Sequence, residues 1–489
     1  MKTISSPHSV HPVSQCVLSV QSDRAVTRVA VPEQEESVRR IFGWASKLTE
    51  EDIAKRLIEL RQHFGHRASS METAWRSSYA HACQRIHSGA GVSLEKQLYI
   101  GSLFSREYRV ESAGVRHPGL CSHVDQSRLD AGSIRFFLSY DGVGEGATSS
   151  LVFRQGVIDS DYHIKMDEAG GSPCAPKPVS NPLLRRSVLF RHLHELGFDN
   201  PWTRSLMQSL GDEFSRSELF AALETASGPT RSHSRDSKGS AEGLRWLSDA
   251  TYEMTFDPDS PLSDRVLLPL DDSGHGGLDE GCFTLLTGDG ESYYLAYCVS
   301  CNGSRRLPLL LESHNLIHFN ITLLGGGASR CRGMAIFPRK FGGRFAALCG
   351  RADEALYLMY SENPVVWEIA LPLRSPSEPW EALGIRPCGP PLETVAGWLV
   401  LYCARGEMGR ESIGAMLLER SDPSKVLGYL KQPLIGQAPL SSTTAETSLE
   451  STGALIHRER LLIARTVRGC HIEIVQFELD SILSLIVEA

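Results

Sequence analysis

From Tyr252 to the end of the chain, short apolar runs alternate with turn residues, and that grammar limits what the chain can fold into. Residues 284–299, TLLTGDGESYYLAYCV, read as a hairpin around Gly288, Asp289 and Gly290. Residues 398–404 and 412–419 form a second pair, and 455–457 and 461–466 a third. The same pattern occurs earlier, where 134–140 (IRFFLSY) and 149–158 (SSLVFRQGVI) flank the Gly-rich 141–146. Many short strands at near-regular spacing fit a sandwich, a barrel or a propeller, and periodicity does not choose among them. No strict internal repeat marks the units.

Two stretches break the β grammar. After Thr49, the run EEDIAKRLIELRQHF places Ile53, Leu57, Leu60 and Phe64 at helical spacing. Thr49 is positioned to cap it, with Glu50, Glu51 and Asp52 in the first turn, where the helix dipole favours them. A second helix over 70–86 completes a helical hairpin within 35–96, expected as packing and homo-oligomer surface. A helical insertion is expected over 174–249, with a capping box of Ser215 and Glu218 and a disordered loop at 229–240 (PTRSHSRDSKGS). Residues 1–34 lack any sustained period and are expected to be a mobile tail.

Composition excludes some functions. A net charge of −8 lacks the basic surplus of a nucleic-acid protein. No run of eighteen apolar residues exists, so neither a transmembrane helix nor a membrane partner is expected. The first twenty residues have no continuous apolar core, and twelve cysteines are scattered without framework spacing; both point to the cytoplasm. Cys298 and Cys301 have zinc-like spacing but no partner pair, and His192 and His194 point to different faces of a helix. Residues 324–327 lack the Lys-Ser/Thr ending of a phosphate loop. No metal or cofactor is expected.

Residues 331–345, CRGMAIFPRKFGGRF, read as a hairpin with Pro338, Arg339 and Lys340 where the backbone leaves the sheet. By themselves these residues fit a solvated basic turn as well as an anion site. The stretch resembles the G-M-A-L-F-P-R-K-I-G-G-R-Y motif of glycoside hydrolase family 130, the β-mannoside phosphorylases and hydrolases. Agreement extends to GVGEGATSSLVFRQGVID (142–159), WEAL (380–383), PPLETVAGWLVLY (390–402) and SIGAMLLE (412–419), in the family's order. The resemblance implies an all-β fold: a five-bladed β-propeller over 97–489, with its active site in the central channel. The helical hairpin would then be an N-terminal extension.

It also implies the chemistry. The family's G-I-E-D-A-R-F, whose Asp protonates the leaving glycosidic oxygen, matches GLDEGCF at 277–283. Asp279 falls on the family's Glu, Glu280 on its Asp, and Cys282 on its Arg. The alternative is a pair of solvated carboxylates in a Gly-rich loop. Glu280 carries one methylene more than Asp, and a misplacement of about 1 Å can cost roughly a hundredfold in rate. Phosphorolysis needs fixed cations on the phosphate. Lys340 holds the family's lysine position with Arg339 beside it, while Cys403 replaces its His and Arg405 lies nearby. Of the sugar-binding positions, His123, Asp125, Gln126 and Glu145 persist. The family's Asn has become His117, its Arg Asp141, its later His Ala147, and its Tyr-Asp-Gly Cys301, Asn302 and Gly303; its C-terminal segment contracts to 448–455. The expectation is a divergent, catalytically impaired member with weak recognition of a mannoside-like ligand. Two alternatives stay open. One is an inverting hydrolase using Glu407 or Glu411 as base, with carboxyls roughly 6.5–9.5 Å apart. The other is an interaction scaffold.

Overall fold

The computed structural model describes residues 13–21, 23–32, 34–64, 68–87, 91–170, 173–179, 181–195, 197–226, 235–268, 276–288, 290–302, 305–326, 331–367, 369–436 and 449–488. Across these residues, five antiparallel sheets of four or more strands follow one another along the chain. The first is built on Gly114–Ser122, Ile134–Val143 and Ser149–Ile158. The second uses Gly276–Gly288, Glu291–Asn302, Arg305–Ser313 and His318–Leu323. The third uses Met334–Ile336, Phe345–Gly350, Leu356–Ser361 and Ile369–Arg374. Gly384–Pro387, Gly397–Arg405, Glu411–Leu418 and Val426–Tyr429 make the fourth. Ala454–His457, Arg460–Val467 and His471–Glu478 make the fifth. The expected hairpins are all present.

Central strands such as Gly397–Arg405 are apolar on both faces because each sheet is covered by its neighbours. Phe137 and Phe153 of the first sheet pack on Phe283 and Tyr294 of the second. Leu295 and Tyr297 then meet Ala335 and Ala347 of the third. Leu348 of the third meets Trp398 and Val400 of the fourth, and Leu399 and Leu401 of the fourth meet Ile463 and Val475 of the fifth. Leu462 and Ile474 of the fifth return to Leu120 and Leu138 of the first. Each buried Leu or Phe in these seams stabilises by about 1.5–3 kcal/mol.

The N-terminal expectations need correction. Residues 13–29 are not a mobile tail. Val13–Ser19 is the edge strand of the fifth sheet, paired with His471–Glu478, and Ala25–Val29 pairs with Ser105–Arg109. Between them, Arg24 is buried against Glu111 at 3.1 Å, which holds the segment down. Residues 1–12 lie outside the described residues. Instead of a hairpin of two helices, the described residues here hold four: Glu35–Ala45, Glu50–Phe64, Ala68–Ile86 and Leu94–Leu103. Thr49 caps the second as expected, its hydroxyl accepting from Asp52 N at 3.1 Å.

The insertion carries helices Arg186–Glu195, Pro201–Gln208, Arg216–Ala226 and Arg235–Asp249, packed on the second sheet. Its capping box is present, with Glu218 N donating to Ser215 Oγ at 3.3 Å and Ser215 N to Glu218 Oε2 at 2.7 Å. Of the loop expected at 229–240, residues 229–234 lie outside the described residues, and 235–240 open the last helix. His192 is buried, its Nε2–H donating to Leu323 O at 2.9 Å, while His194 is exposed on Asp199. Among the described residues, no helix is long and apolar enough to cross a membrane.

Candidate functional site

The first strands of the first and second sheets each carry a β-bulge. In Gly114–Ser122 the register jumps between Arg116 and Gly119, leaving His117 and Pro118 opposite Tyr140. In Gly276–Gly288 it jumps between Asp279 and Cys282, leaving Glu280 and Gly281 opposite Cys298. His117 (φ 48°) and Glu280 (φ 61°) take the left-handed conformation that such a break requires. A side chain at Gly281 would come within 2.4 Å of Leu151 Cδ1, so the buried Leu151 side chain would have to shift to admit one. Asp141 joins the two bulges. Its Oδ2 accepts from His117 Nδ1–H at 2.7 Å and from the Glu280 backbone N–H at 3.0 Å. The Thr452 hydroxyl lies 2.9 Å from the His117 carbonyl oxygen and 3.1 Å from that of Gly281.

His117 is shared between two acids, with Nε2 facing Glu450 Oε2 at 3.4 Å. Burial alone would lower its pKa, but Asp141 and Glu450 outweigh it and raise it to about 10. Burial pushes the Asp141 carboxyl up to about 6 against the pull of His117. Burial would also raise Glu450, yet His117 and the nearby Arg386 hold it down at about 2.

These groups border a cavity of about 570 Å³ that collects residues from every one of the five sheets or their adjoining loops. Six arginines line it, namely Arg116, Arg306, Arg332, Arg351, Arg386 and Arg405, against Glu280, Glu354, Glu411 and Glu450. Most are paired. Arg306 Nη2 donates to Glu280 Oε1 at 2.6 Å, and Arg116 to Asp279 at 3.3 Å. Arg405 meets Glu411 at 3.2 Å, whose other oxygen accepts Leu449 N at 2.8 Å. Arg332 is paired with Glu354.

Of the residues expected at the site, Glu280 lines the cavity and Asp279 sits beside it on Arg116. His123, Asp125, Gln126, Glu145, Arg339 and Lys340 do not line it. His123, Asp125 and Gln126 organise the turn after the first strand: Asp125 N donates to His123 Nδ1 at 3.0 Å, and the Gln126 amide bonds both backbone groups of Arg135 at 2.8 Å. Glu145 is in the exposed turn Glu145–Ala147. Arg339 is stacked on Phe341 and Trp398, 5.2 and 5.0 Å from the ring centroids, and donates to Arg420 O at 2.9 Å. Lys340 lies over Phe345 at 4.6 Å. The Arg339–Lys340 hairpin is therefore framework, and the structure does not bring it to Glu280. Glu407 is exposed in the turn Glu407–Gly409, away from the cavity, whereas Glu411 lines it. Cys403 lines the cavity and Cys282 is buried beneath it, its thiol pushed up by burial. Gly303, residue 448, and the side chains of Ala147, Cys301 and Asn302 lie outside the described residues.

Arg116, Arg306, Arg386 and Glu450 went unanticipated. Their one signal was a charge within or beside an otherwise apolar strand, and strand pairing alone turns such charges towards a common space.

No protein-family model matches the chain. Over 102 residues it is 30% identical to the 1,2-β-oligomannan phosphorylase of Thermoanaerobacter sp. (strain X514), covering 21% of this chain and 34% of that protein. Over 112 residues it is 34% identical to the β-1,2-mannobiose phosphorylase of Listeria innocua serovar 6a, covering 20% of this chain and 30% of that one. The matches thus span about a third of each relative. The solved complex of the Listeria innocua phosphorylase with β-1,2-mannobiose superposes with a TM-score of 0.42 at 16% identity, over 77% of this chain and 92% of that one. Two phosphorylase matches, with five motifs in the same order, make the chain a divergent relative of the β-mannoside phosphorylases of glycoside hydrolase family 130.

Proposed function

We propose that the five sheets are the blades of a β-propeller, that the arginine-rich cavity is its central channel, and that the channel binds a β-mannoside-type glycan with little or no cleavage. The cyclic order of the apolar seams, the fifth sheet back on the first, supports the propeller. A cavity reached by all five sheets supports the channel. The kinship to β-1,2-mannan phosphorylases supports the ligand.

One observation carries the impaired reading: the Arg306 guanidinium sits 2.6 Å from Glu280 Oε1. A general acid must present a proton to the leaving oxygen, whereas this oxygen already accepts from a cation. The base position is no freer, since Glu411 is held through both oxygens. An inverting hydrolase is the second reading, favoured by Glu280 and Glu411 lining one cavity; it requires the ligand to displace Arg306.

The test is an assay of β-1,2- and β-1,4-mannobiose, with and without phosphate, on wild type and Glu280→Gln. The expected outcome is near-background rates in both proteins and no mannose 1-phosphate. A drop of about a hundredfold in Glu280→Gln, the usual scale for losing a general acid, would instead establish the hydrolase.

A further inference from the structure

We infer that the sugar this cavity takes is anionic, carrying a phosphate ester or a carboxylate, and that Arg351 and Arg386 hold its charge at the seam of the third and fourth sheets. The inference rests on the glycan-binding reading above and names the class of ligand. Gly350, at the end of Phe345–Gly350, lies directly against Gly384–Pro387: an added methyl would sit 3.3 Å from Arg386 Cβ and 2.8 Å from the Arg332 carbonyl. Arg332, Arg351 and Arg386 therefore leave the backbone close together, and Arg405 adjoins Gly384 across the strand pair.

Arg332 and Arg405 are each matched by a carboxylate. Arg351 and Arg386 are not. Among the described residues, neither guanidinium has a carboxylate within ion-pair distance; Arg351 lies over the Tyr357 ring at 5.3 Å, and the acid near it, Asp353, accepts from the Tyr357 hydroxyl. The acids nearest Arg386 are Glu280, Glu411 and Glu450. Each is already held by another cation, Arg306, Arg405 and His117 respectively. Two neighbouring forks of N–H donors without an acceptor make a receptor for a planar or tetrahedral oxyanion. The cavity, about 570 Å³, is far larger than a phosphate ion needs, and Tyr297, Val299 and Ile385 give it apolar wall for a sugar ring.

Isothermal titration of the full chain with mannose, β-1,2-mannobiose, mannose 6-phosphate, mannuronate and inorganic phosphate tests this, using wild type, Arg351→Met, Arg386→Met and Arg386→Lys. The expected result is that a charged sugar binds about tenfold or more tighter than mannose. That advantage should shrink at high salt and disappear in both Met variants. If mannobiose binds as tightly as the charged sugars, the inference falls and the glycan reading stands. If no sugar binds, both fall. If inorganic phosphate binds as tightly as mannose 6-phosphate, the site is for a free anion and the inference is overturned. Thermal melts report folding, and should Arg386→Met fail to fold, Arg351→Met and Arg386→Lys decide.

Discussion

At the residue scale, His117 holds its proton between Asp141 and Glu450, and this fixes how the site responds to pH. With its pKa raised to about 10, His117 contributes stability that is complete below its ordinary value near 6.5 and is lost as pH rises through about 10. Glu450, lowered to about 2, contributes stability present above about 4.5 and lost as pH falls through about 2. Asp141, raised to about 6 by burial, works against both as pH climbs from about 4 to 6. Replacing His117 by Gln leaves two enclosed carboxylates without their shared cation and should cost about 3–5 kcal/mol at neutral pH. In urea unfolding, the gap between wild type and His117→Gln should narrow towards about pH 11, where the wild-type imidazole is also neutral. A gap that stays constant would show that His117 acts through packing alone.

At the scale of single elements, the motifs that carry the family resemblance serve the framework. Glu381, within WEAL, is fully buried in the turn Pro379–Glu381. Both of its oxygens take Arg374 at 2.8 Å, and it also accepts the Tyr402 hydroxyl at 2.7 Å and Ser377 N at 2.9 Å. Glu381→Ala strands Arg374 in the interior and should cost about 3–5 kcal/mol, against about 1 kcal/mol for Tyr402→Phe. Denaturant midpoints would check both, and equal effects would mean that the ion pair adds nothing beyond a hydrogen bond. The same elements explain what could be read from sequence. Strands and caps were legible because apolar period and Thr49 or Ser215 chemistry are local. The site was not. His117 meets Asp141 and Glu450 only through a bulge and sheet-to-sheet packing, and neither leaves a periodic trace. Arg339 was assigned to phosphate because of its place in a motif, but sequence cannot distinguish a cation facing a cavity from one stacked on Trp398.

At the scale of the whole molecule, the N-terminal segment ties three regions together. Val13–Ser19 completes the fifth sheet, Ala25–Val29 pairs ahead of the first, and Arg24 between them reaches inward. There Glu111 accepts from Arg24 at 3.1 Å and from the Tyr140 hydroxyl at 2.8 Å, with Arg154 at 3.5 Å. Both arginines also donate to the Ser263 carbonyl, at 2.9 and 2.8 Å. Two changes separate the strand from the charge. Deleting residues 1–19 leaves Arg24 and Glu111 in place but uncovers the ladder of His471–Glu478, an open edge that invites pairing with another chain. The truncated protein should melt at lower temperature and show self-association on size exclusion. Glu111→Gln keeps the strand but leaves two buried guanidinium groups without a counter-charge; it should cost about 3–5 kcal/mol while the protein keeps the wild-type assembly state. If the truncation melted like wild type, the edge strand would be dispensable. If Glu111→Gln were neutral, the buried cations would be satisfied by carbonyls such as Ser263 O. With both expected losses, Val13–Ser19 and the C-terminal strand His471–Glu478 stabilise each other through one sheet, and the segment that follows Val13–Ser19 is held by one buried ion cluster.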